Sequence, residues 1–319
     1  MKMFATTTAA ALMASTSAIA QIETRSVTFT NEGQTLTGTL YLPEGYEGSS
    51  LPMVVVTGAW TSVEEQMPRV YAKEMVERGF AAFTFDFRGW GKSGDLPNNV
   101  RFVESPSAKS SDIRAAFEFV ASLPEVDATR INGLGICASA GYMVDAVSGN
   151  DLVQRIGLVA PWLQNKEIVE AVYGGAAGVA GLIEVSRAAD SAGGQIIPAA
   201  GPEGAEGVLM PIGGYYYEED RGAIPAYDNK WNNSGWEDWL TYYPADHATG
   251  LTQPLAVVHS EAAAIPQGVQ TFLQSYLGDA TLEMLENVTQ FDFYDNPEDV
   301  TRAADVMAEH FNITDNNDS

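Results

Sequence analysis

Gly135-Ile136-Cys137-Ala138-Ser139-Ala140-Gly141 is the stretch whose reading decides the fold. It follows a strand-like run, Arg130-Ile131-Asn132-Gly133-Leu134, and precedes a helix-like segment. Cys137 is the one cysteine in 319 residues. Gly135 and Ser139 flank it two positions away on either side. A sharp strand-to-helix turn needs small flanks, because a bulky side chain would clash where the backbone doubles back. Such a turn holds its central side chain out as a nucleophile. Two registers fit. Centring on Cys137 places it directly after a six- or seven-residue strand. Centring on Ser139 uses Cys137 and Gly141 as flanks, but makes the strand overlong and starts the helix late. Cys137 is therefore the preferred tip, with a buried structural cysteine as the plain alternative.

Outward from this turn the chain alternates between two patterns. Short continuous apolar runs recur at Met53–Val56, Phe80–Phe85, Ile131–Ile136, Ile156–Ala160 and Leu255–Val258, with a weaker one at Thr281–Glu286. Runs like these are strands buried on both faces, as in a parallel sheet. Between them lie helical spacings. Met67, Val70, Tyr71 and Met75 share one face, Ile113, Ala116, Phe117 and Val120 another, and Val300, Ala303, Met307 and Phe311 a third. The alternation predicts an α/β architecture with a mostly parallel sheet flanked by helices. Residues 25–31 and 35–42 alternate in strand fashion around Glu32-Gly33 and predict an N-terminal β-hairpin.

The pattern breaks at about 162–253. This segment is rich in Gly, Ala and aromatics, including Tyr215, Tyr216, Tyr217, Trp231, Trp236 and Trp239. Lying between two core strands, it reads as a cap insertion over the strand ends. Its aromatics either line an apolar pocket or pack the cap onto the sheet.

The chain carries 42 acidic and 17 basic residues, a formal charge of −25. That balance excludes a basic nucleic-acid footprint. Lys2, the apolar run Phe4–Ala14 and the small-x-small triplet Ala18-Ile19-Ala20 read as a signal peptide over residues 1–20. The expected product is one domain, residues 21–319, exported to a bacterial periplasm or beyond. No stable membrane insertion is expected, and a lone cysteine cannot form an internal disulfide. There is no CxxC, HExxH or GxxxxGK[ST] pattern, so no metal or nucleotide cofactor is expected.

The loop Asp86-Phe87-Arg88-Gly89-Trp90-Gly91-Lys92-Ser93-Gly94, together with the turn at Cys137, resembles the α/β-hydrolase superfamily. Over roughly residues 25–312 the chain is similar to the dienelactone-hydrolase-like and YcjY/FrsA-like hydrolases. Val63-Glu64-Glu65-Gln66 and Thr289-Gln290-Phe291-Asp292-Phe293-Tyr294-Asp295 also resemble segments of that group. The resemblance implies a nucleophile elbow at Cys137 and a structural role for the Asp86–Gly94 loop.

The partners of the elbow follow from that likeness. Acyl chemistry needs donors for a developing oxyanion. The Ala138 N–H comes next after the nucleophile. The second donor is expected from Thr57-Gly58-Ala59-Trp60, with Ala59 at the implied position and Trp60 the alternative. Related hydrolases often carry an Asp about four residues past the histidine that stands here as His259. That position is Ala263, so Glu261 in the same turn becomes the candidate acid. The base position holds Gln290 where the group has histidine. Glutamine forms hydrogen bonds but takes no proton near neutral pH. Of the three histidines, His259 reads as structural, His247 as a surface residue and His310 as part of the terminal helix. A cysteine needs a base less than a serine does, and a helix beginning near Ala138 favours its thiolate.

The expected activity is a hydrolase or acyl-transfer reaction on an ester, thioester or lactone of a small apolar molecule. The different-class alternative is a degenerate hydrolase fold that binds a small ligand under the cap. A third reading gives Cys137 a non-hydrolytic isomerisation or lyase step.

Overall fold

The computed structural model describes residues 21–312, except 47, 49 and 191–193. The signal-peptide reading of residues 1–20 lies outside the described residues.

The chain opens with the expected hairpin, β1 (Ile22–Asn31) and β2 (Gln34–Pro43). Glu32 and Gly33 join them with φ of 48° and 78°, the left-handed pair that matches the twist of the strands. Then come β3 (Leu51–Thr57), α1 (Met67–Glu77), β4 (Ala81–Phe85), α2 (Pro106–Ala121), β5 (Val126–Ile136), α3 (Ser139–Val147) and β6 (Val153–Val159). The insertion holds α4 (Lys166–Val172), α5 (Gly175–Asp190), the two-residue strands β7 (Ile196–Ile197) and β8 (Trp231–Asn232), and α6 (Trp236–Leu240). The core resumes with β9 (Leu255–Ser260), α7 (Pro266–Ser275), β10 (Ala280–Leu285), α8 (Asp292–Asp295) and α9 (Pro297–Phe311).

Eight strands form one sheet in the order β1-β2-β4-β3-β5-β6-β9-β10. The hairpin joins antiparallel to β4, and the six strands from β4 to β10 run parallel. Five of the six apolar runs are buried on both faces, whereas the weaker sixth, β10, is a mostly exposed edge strand. Every residue of β4 and β9 is buried. Helices cover both faces, with α1 packed beside α9 and α2 beside α3. The helix after β3 and the helix after β5 therefore leave to opposite sides. Crevices at such a switch point, outside the carboxyl ends of the strands, are where ligands bind in open α/β sheets. Cys137 follows β5 there, and Gly58-Ala59-Trp60 follows β3.

The terminal helix shows how the sequence sets its own element. Val300, Ala303, Met307 and Phe311 form its buried stripe. Asn296 caps it, its side chain accepting from Glu298 N–H at 3.1 Å, and Glu298 and Asp299 lie in the first turn, where acidic groups suit the helix dipole.

Two buried groups of the core give stability an opposed pH dependence. His259 is fully buried on β9. Burial pushes its pKa down to about 4, with the Ala264 backbone opposing. Glu64 accepts from the hydroxyls of Thr39 and Thr84. Burial pushes its pKa up to about 7, and nearby Asp86 adds to the rise. In the unfolded chain the histidine titrates near 6.5 and the carboxyl near 4.5. The stability that neutral His259 contributes is therefore lost as pH falls from 6.5 towards 4, by ~3 kcal/mol. The stability that protonated Glu64 contributes is complete below 4.5 and lost as pH rises through 7, by ~3 kcal/mol. The two nearly cancel between 4.5 and 6.5. Glu64→Gln should gain stability relative to the parent above neutral pH and fall more steeply in acid. Urea midpoints measured across this range check it; parallel curves for parent and variant would contradict it.

Candidate active site

The elbow has the geometry that the small flanks imply. Cys137 sits directly between β5 and α3 with φ of 56°, a left-handed backbone that is uncommon for a side-chain-bearing residue. A Cβ on Gly135 would lie 2.8 Å from the Ser139 carbonyl oxygen and 2.9 Å from the Ala140 Cα. Backbone stands in the way, so only glycine fits. The Cys137 N–H donates to the Val159 carbonyl at 3.1 Å, and its own carbonyl accepts from Trp162 N–H at 2.9 Å. Ser139 is fully buried in the first turn of α3 and donates its hydroxyl to the Gly58 carbonyl. Of the two registers, the Cys137-centred one is the one the backbone adopts.

Cys137 forms part of the wall of a cavity of about 330 Å³. Trp60, Trp162, Trp239, Met210, Ile212, Tyr216 and Phe291 give it an apolar lining, and Gln290, Thr289 and Tyr294 bring polar atoms. A more open groove of about 520 Å³ beside Arg88 and Glu237 contains none of the elbow residues. The insertion supplies five of the cavity residues, from Trp162 to Trp239. Its aromatics divide between the two expected tasks. Tyr216 and Trp239 line the cavity, while Trp231 is fully buried as packing and Tyr217 is exposed. The Trp60 ring stacks on Trp239 with centroids 5.0 Å apart. Arg221 clamps the insertion to the segment bearing Tyr294 through Asp295, at 2.7 Å to each carboxylate oxygen.

The Tyr294 hydroxyl, the N–H groups of Ala138 and Trp60 and, least, the Gln290 amide each favour the thiolate. Burial acts against them and is the largest influence, so the thiol is pushed above its ordinary value. The helix-end expectation is thus corrected: the donors are in place, but desolvation outweighs them.

Gln290 is held on three sides. Its Nε2 donates to the Ala160 carbonyl at 2.9 Å and to the Tyr294 hydroxyl at 3.1 Å. Its Oε1 accepts from Ala264 N–H at 3.0 Å. Both of its N–H bonds are engaged, so its action on the sulfur runs mainly through Tyr294. Tyr294 accepts from Gln290, which leaves its own proton for Sγ. Burial holds both Tyr294 and Tyr216 well above the ordinary phenol value, so both stay protonated donors.

The structure moves two of the sequence-derived site residues. The backbone N–H that bears on the Cys137 sulfur from this loop is that of Trp60 rather than Ala59. The Ala59 carbonyl is tied into a tight turn by the Ser62 N–H at 3.2 Å and the Ser62 hydroxyl at 2.7 Å. That turn points the next amide, Trp60's, at the elbow. Glu261 is not brought to the site. It is exposed and does not line the cavity. Beyond β9 the chain turns so that Ala262 and Ala264 face the cavity, with Ala262 N–H on the Ser260 hydroxyl at 3.1 Å. Ala138 and Gln290 both line the cavity beside Cys137.

None of the three histidines lines the cavity. His247 pairs with Asp145 at 2.7 Å, which raises its pKa, and is 40% exposed. His310 lies on α9 beside the Pro254 carbonyl. The Asp86–Gly94 loop is structural. Asp86 accepts from Glu64 N–H and Lys92 N–H, both at 2.8 Å, and Arg88 pairs with Asp112 at 2.6 Å and Glu32 at 2.7 Å.

Sequence reasoning gave Tyr294 no role, although it lies four residues past Gln290, the spacing of one helical turn. It also missed a buried ion pair beneath the Trp60 turn. Lys109 Nζ lies 2.5 Å from Glu104 Oε1, with 2% and 0% of the side chains exposed. Glu104 also accepts from the Tyr142 hydroxyl at 2.7 Å and Thr61 N–H at 3.3 Å.

Known proteins share this architecture. The FrsA-like esterase family model matches residues 7–150, the part that carries the elbow. The uncharacterized protein PA2218 of Pseudomonas aeruginosa is 41% identical over 138 residues, 43% of this chain and 36% of that one. The matched sequence thus spans about a third of that relative's length. Its crystal structure superposes over 91% of this chain and 94% of its own, with a TM-score of 0.76 and 26% identity. The uncharacterized protein YcjY of Escherichia coli is 27% identical over 309 residues, 90% of this chain and 98% of that one. The α/β hydrolase GrgF of Penicillium sp. sh18 superposes with a TM-score of 0.70 at 19% identity, over 91% of this chain and all of its own. The chain has the fold of the α/β hydrolases, and the esterase match falls on the stretch that builds its elbow.

Proposed function

We propose that this protein is an acyl-handling enzyme in which Cys137 attacks the carbonyl of an ester, thioester or lactone with an uncharged apolar acyl group. The observation that carries this reading is the convergence at Sγ. A left-handed cysteine at a strand-to-helix turn opens onto an apolar cavity, with the N–H groups of Ala138 and Trp60 aimed at it. Those two amides suit an oxyanion better than a resting thiol, since preorganised donors act where charge develops. The apolar lining, without a carboxylate, ammonium or imidazole among the lining residues, suits an uncharged acyl group.

Thiolate supply then limits the rate. Activity should rise with pH through neutrality and beyond, without the acid limb that a histidine base leaves near its own pKa. A panel of aryl esters, aryl thioesters and lactones tests the reading. Turnover or a stoichiometric burst is expected with the wild type and not with Cys137→Ala. No wild-type reaction with any of them would overturn it.

A second reading has its own support. Gln290 is bound to the scaffold at both ends, and the thiol is held neutral by burial. Both suit a ligand-binding pocket that has lost its chemistry. Saturable binding of the same probes without acylation would favour that reading.

A further inference from the structure

We infer that the site passes its acyl group to a thiol rather than to water. The inference rests on the reading of Cys137 as nucleophile and names the reaction class of that same site.

The argument starts from what surrounds the sulfur. The titratable groups lining the cavity are Cys137, Tyr216 and Tyr294. Both phenols stay protonated, so they give hydrogen bonds and take no proton. Gln290 spends its one carbonyl oxygen on Ala264 N–H. The buried imidazole of His259 lies outside the lining, and its pKa of about 4 makes it a weak base. Glu261 faces solvent. Among the described residues, the polar groups that favour the thiolate all act towards it as donors. Such a site stabilises negative charge on sulfur and on an oxyanion, but offers nothing to deprotonate an incoming nucleophile.

This sorts the half-reactions. Attack by Cys137 needs only its thiolate, formed when the thiol gives its proton to solvent. The sulfur bonds to the carbonyl carbon of R–CO–SR′, and the carbonyl electron pair moves to an oxygen held by Ala138 and Trp60. Collapse breaks the old C–S bond and releases R′S⁻, which takes a proton from solvent. A thiolate leaves without an acid catalyst, whereas an alkoxide calls for one. In the second half, an acceptor thiol R″SH enters as its thiolate, and the Cys137 thiolate leaves. The sum is R–CO–SR′ + R″SH → R–CO–SR″ + R′SH, balanced and without redox change. Water has no such route. It is a far weaker acid than a thiol, and a general base typically supplies 10²–10⁴-fold. An acyl-enzyme here should outlast one with a histidine base by roughly that factor. Tyr294 contributes the side-chain donor on the sulfur, oriented by Gln290, and favours the thiolate both as attacker and as leaving group.

The full chain, incubated with phenyl thiohexanoate, tests this. Without added thiol, one equivalent of thiophenol should be released and then stop, leaving a hexanoyl adduct that persists in buffer. Adding 2-mercaptoethanol should discharge the adduct as the new thioester and restore turnover above the Cys137→Ala background. Steady release of hexanoic acid, unchanged by the thiol, would overturn transfer while leaving Cys137 as nucleophile. Equal behaviour of wild type and Cys137→Ala would overturn both. Tyr294→Phe keeps the ring. It should slow the burst about tenfold, in the range of one charge-assisted hydrogen bond, and move its pH profile upward with unchanged amplitude. An unmoved profile would remove Tyr294 from the mechanism.

Discussion

Cys137→Ala is expected to lower acyl turnover by about 10³-fold or more, the scale on which removal of a nucleophile acts. Ser139→Ala, two residues on, should leave turnover within a few-fold of the parent. The contrast follows from geometry. Cys137 occupies the strained tip and opens onto the cavity. Ser139 is turned inward, its hydroxyl given to the Gly58 carbonyl. Removing that hydroxyl leaves a buried acceptor unpaired and costs about 1–2 kcal/mol of stability. The two substitutions therefore separate by readout: one acts on rate and the other on the unfolding midpoint. Comparable rate losses in both variants would place the nucleophile elsewhere in the turn.

The largest loss of stability is expected at the ion pair under the Trp60 turn. Glu104→Ala should destabilise by ~3–5 kcal/mol, because it leaves the Lys109 ammonium buried without its counter-charge. The ammonium is enclosed by aromatic rings, 4.8 Å from the Phe87 centroid and 5.0 Å from that of Trp90. Burial lowers its pKa despite Glu104. The same carboxylate holds the N–H of Thr61, which has a left-handed φ of 61°. Loss of Glu104 should therefore also loosen the adjacent Trp60 amide and lower the acylation rate. Glu104→Leu combined with Lys109→Met removes both charges and should cost less than Glu104→Ala alone. Thermal or urea unfolding of the single and double variants checks this. A double variant as unstable as the sum of the singles would contradict it.

The fold was legible because its signals are local and steric. Six apolar runs became the six parallel strands, and Gly135 had to be glycine for reasons that the turn alone supplies. The position of Gln290 was legible by its place after the last strand. What escaped the sequence was direction. Ala59 and Trp60 are neighbours, and only the Ser62 hydrogen bonds to the Ala59 carbonyl decide which amide faces the sulfur. Glu261 is the nearest carboxylate in the chain, yet the turn after Ser260 sends it to solvent. Glu104 and Lys109 have the look of surface charges at the start of a helix until the sheet brings aromatic rings around them. The state of the thiol was also misjudged. The helix end and its donors are visible in the sequence, but the depth of burial that outweighs them is a property of the packed structure.

Locating the acyl group tests the account most directly. After brief reaction with phenyl thiohexanoate, proteolysis and mass mapping should find a single hexanoyl group on the peptide spanning the elbow, with fragmentation assigning it to Cys137. Cys137→Ala should carry none. A hexanoyl group on Ser139, or turnover with Cys137 never acylated, would contradict the account.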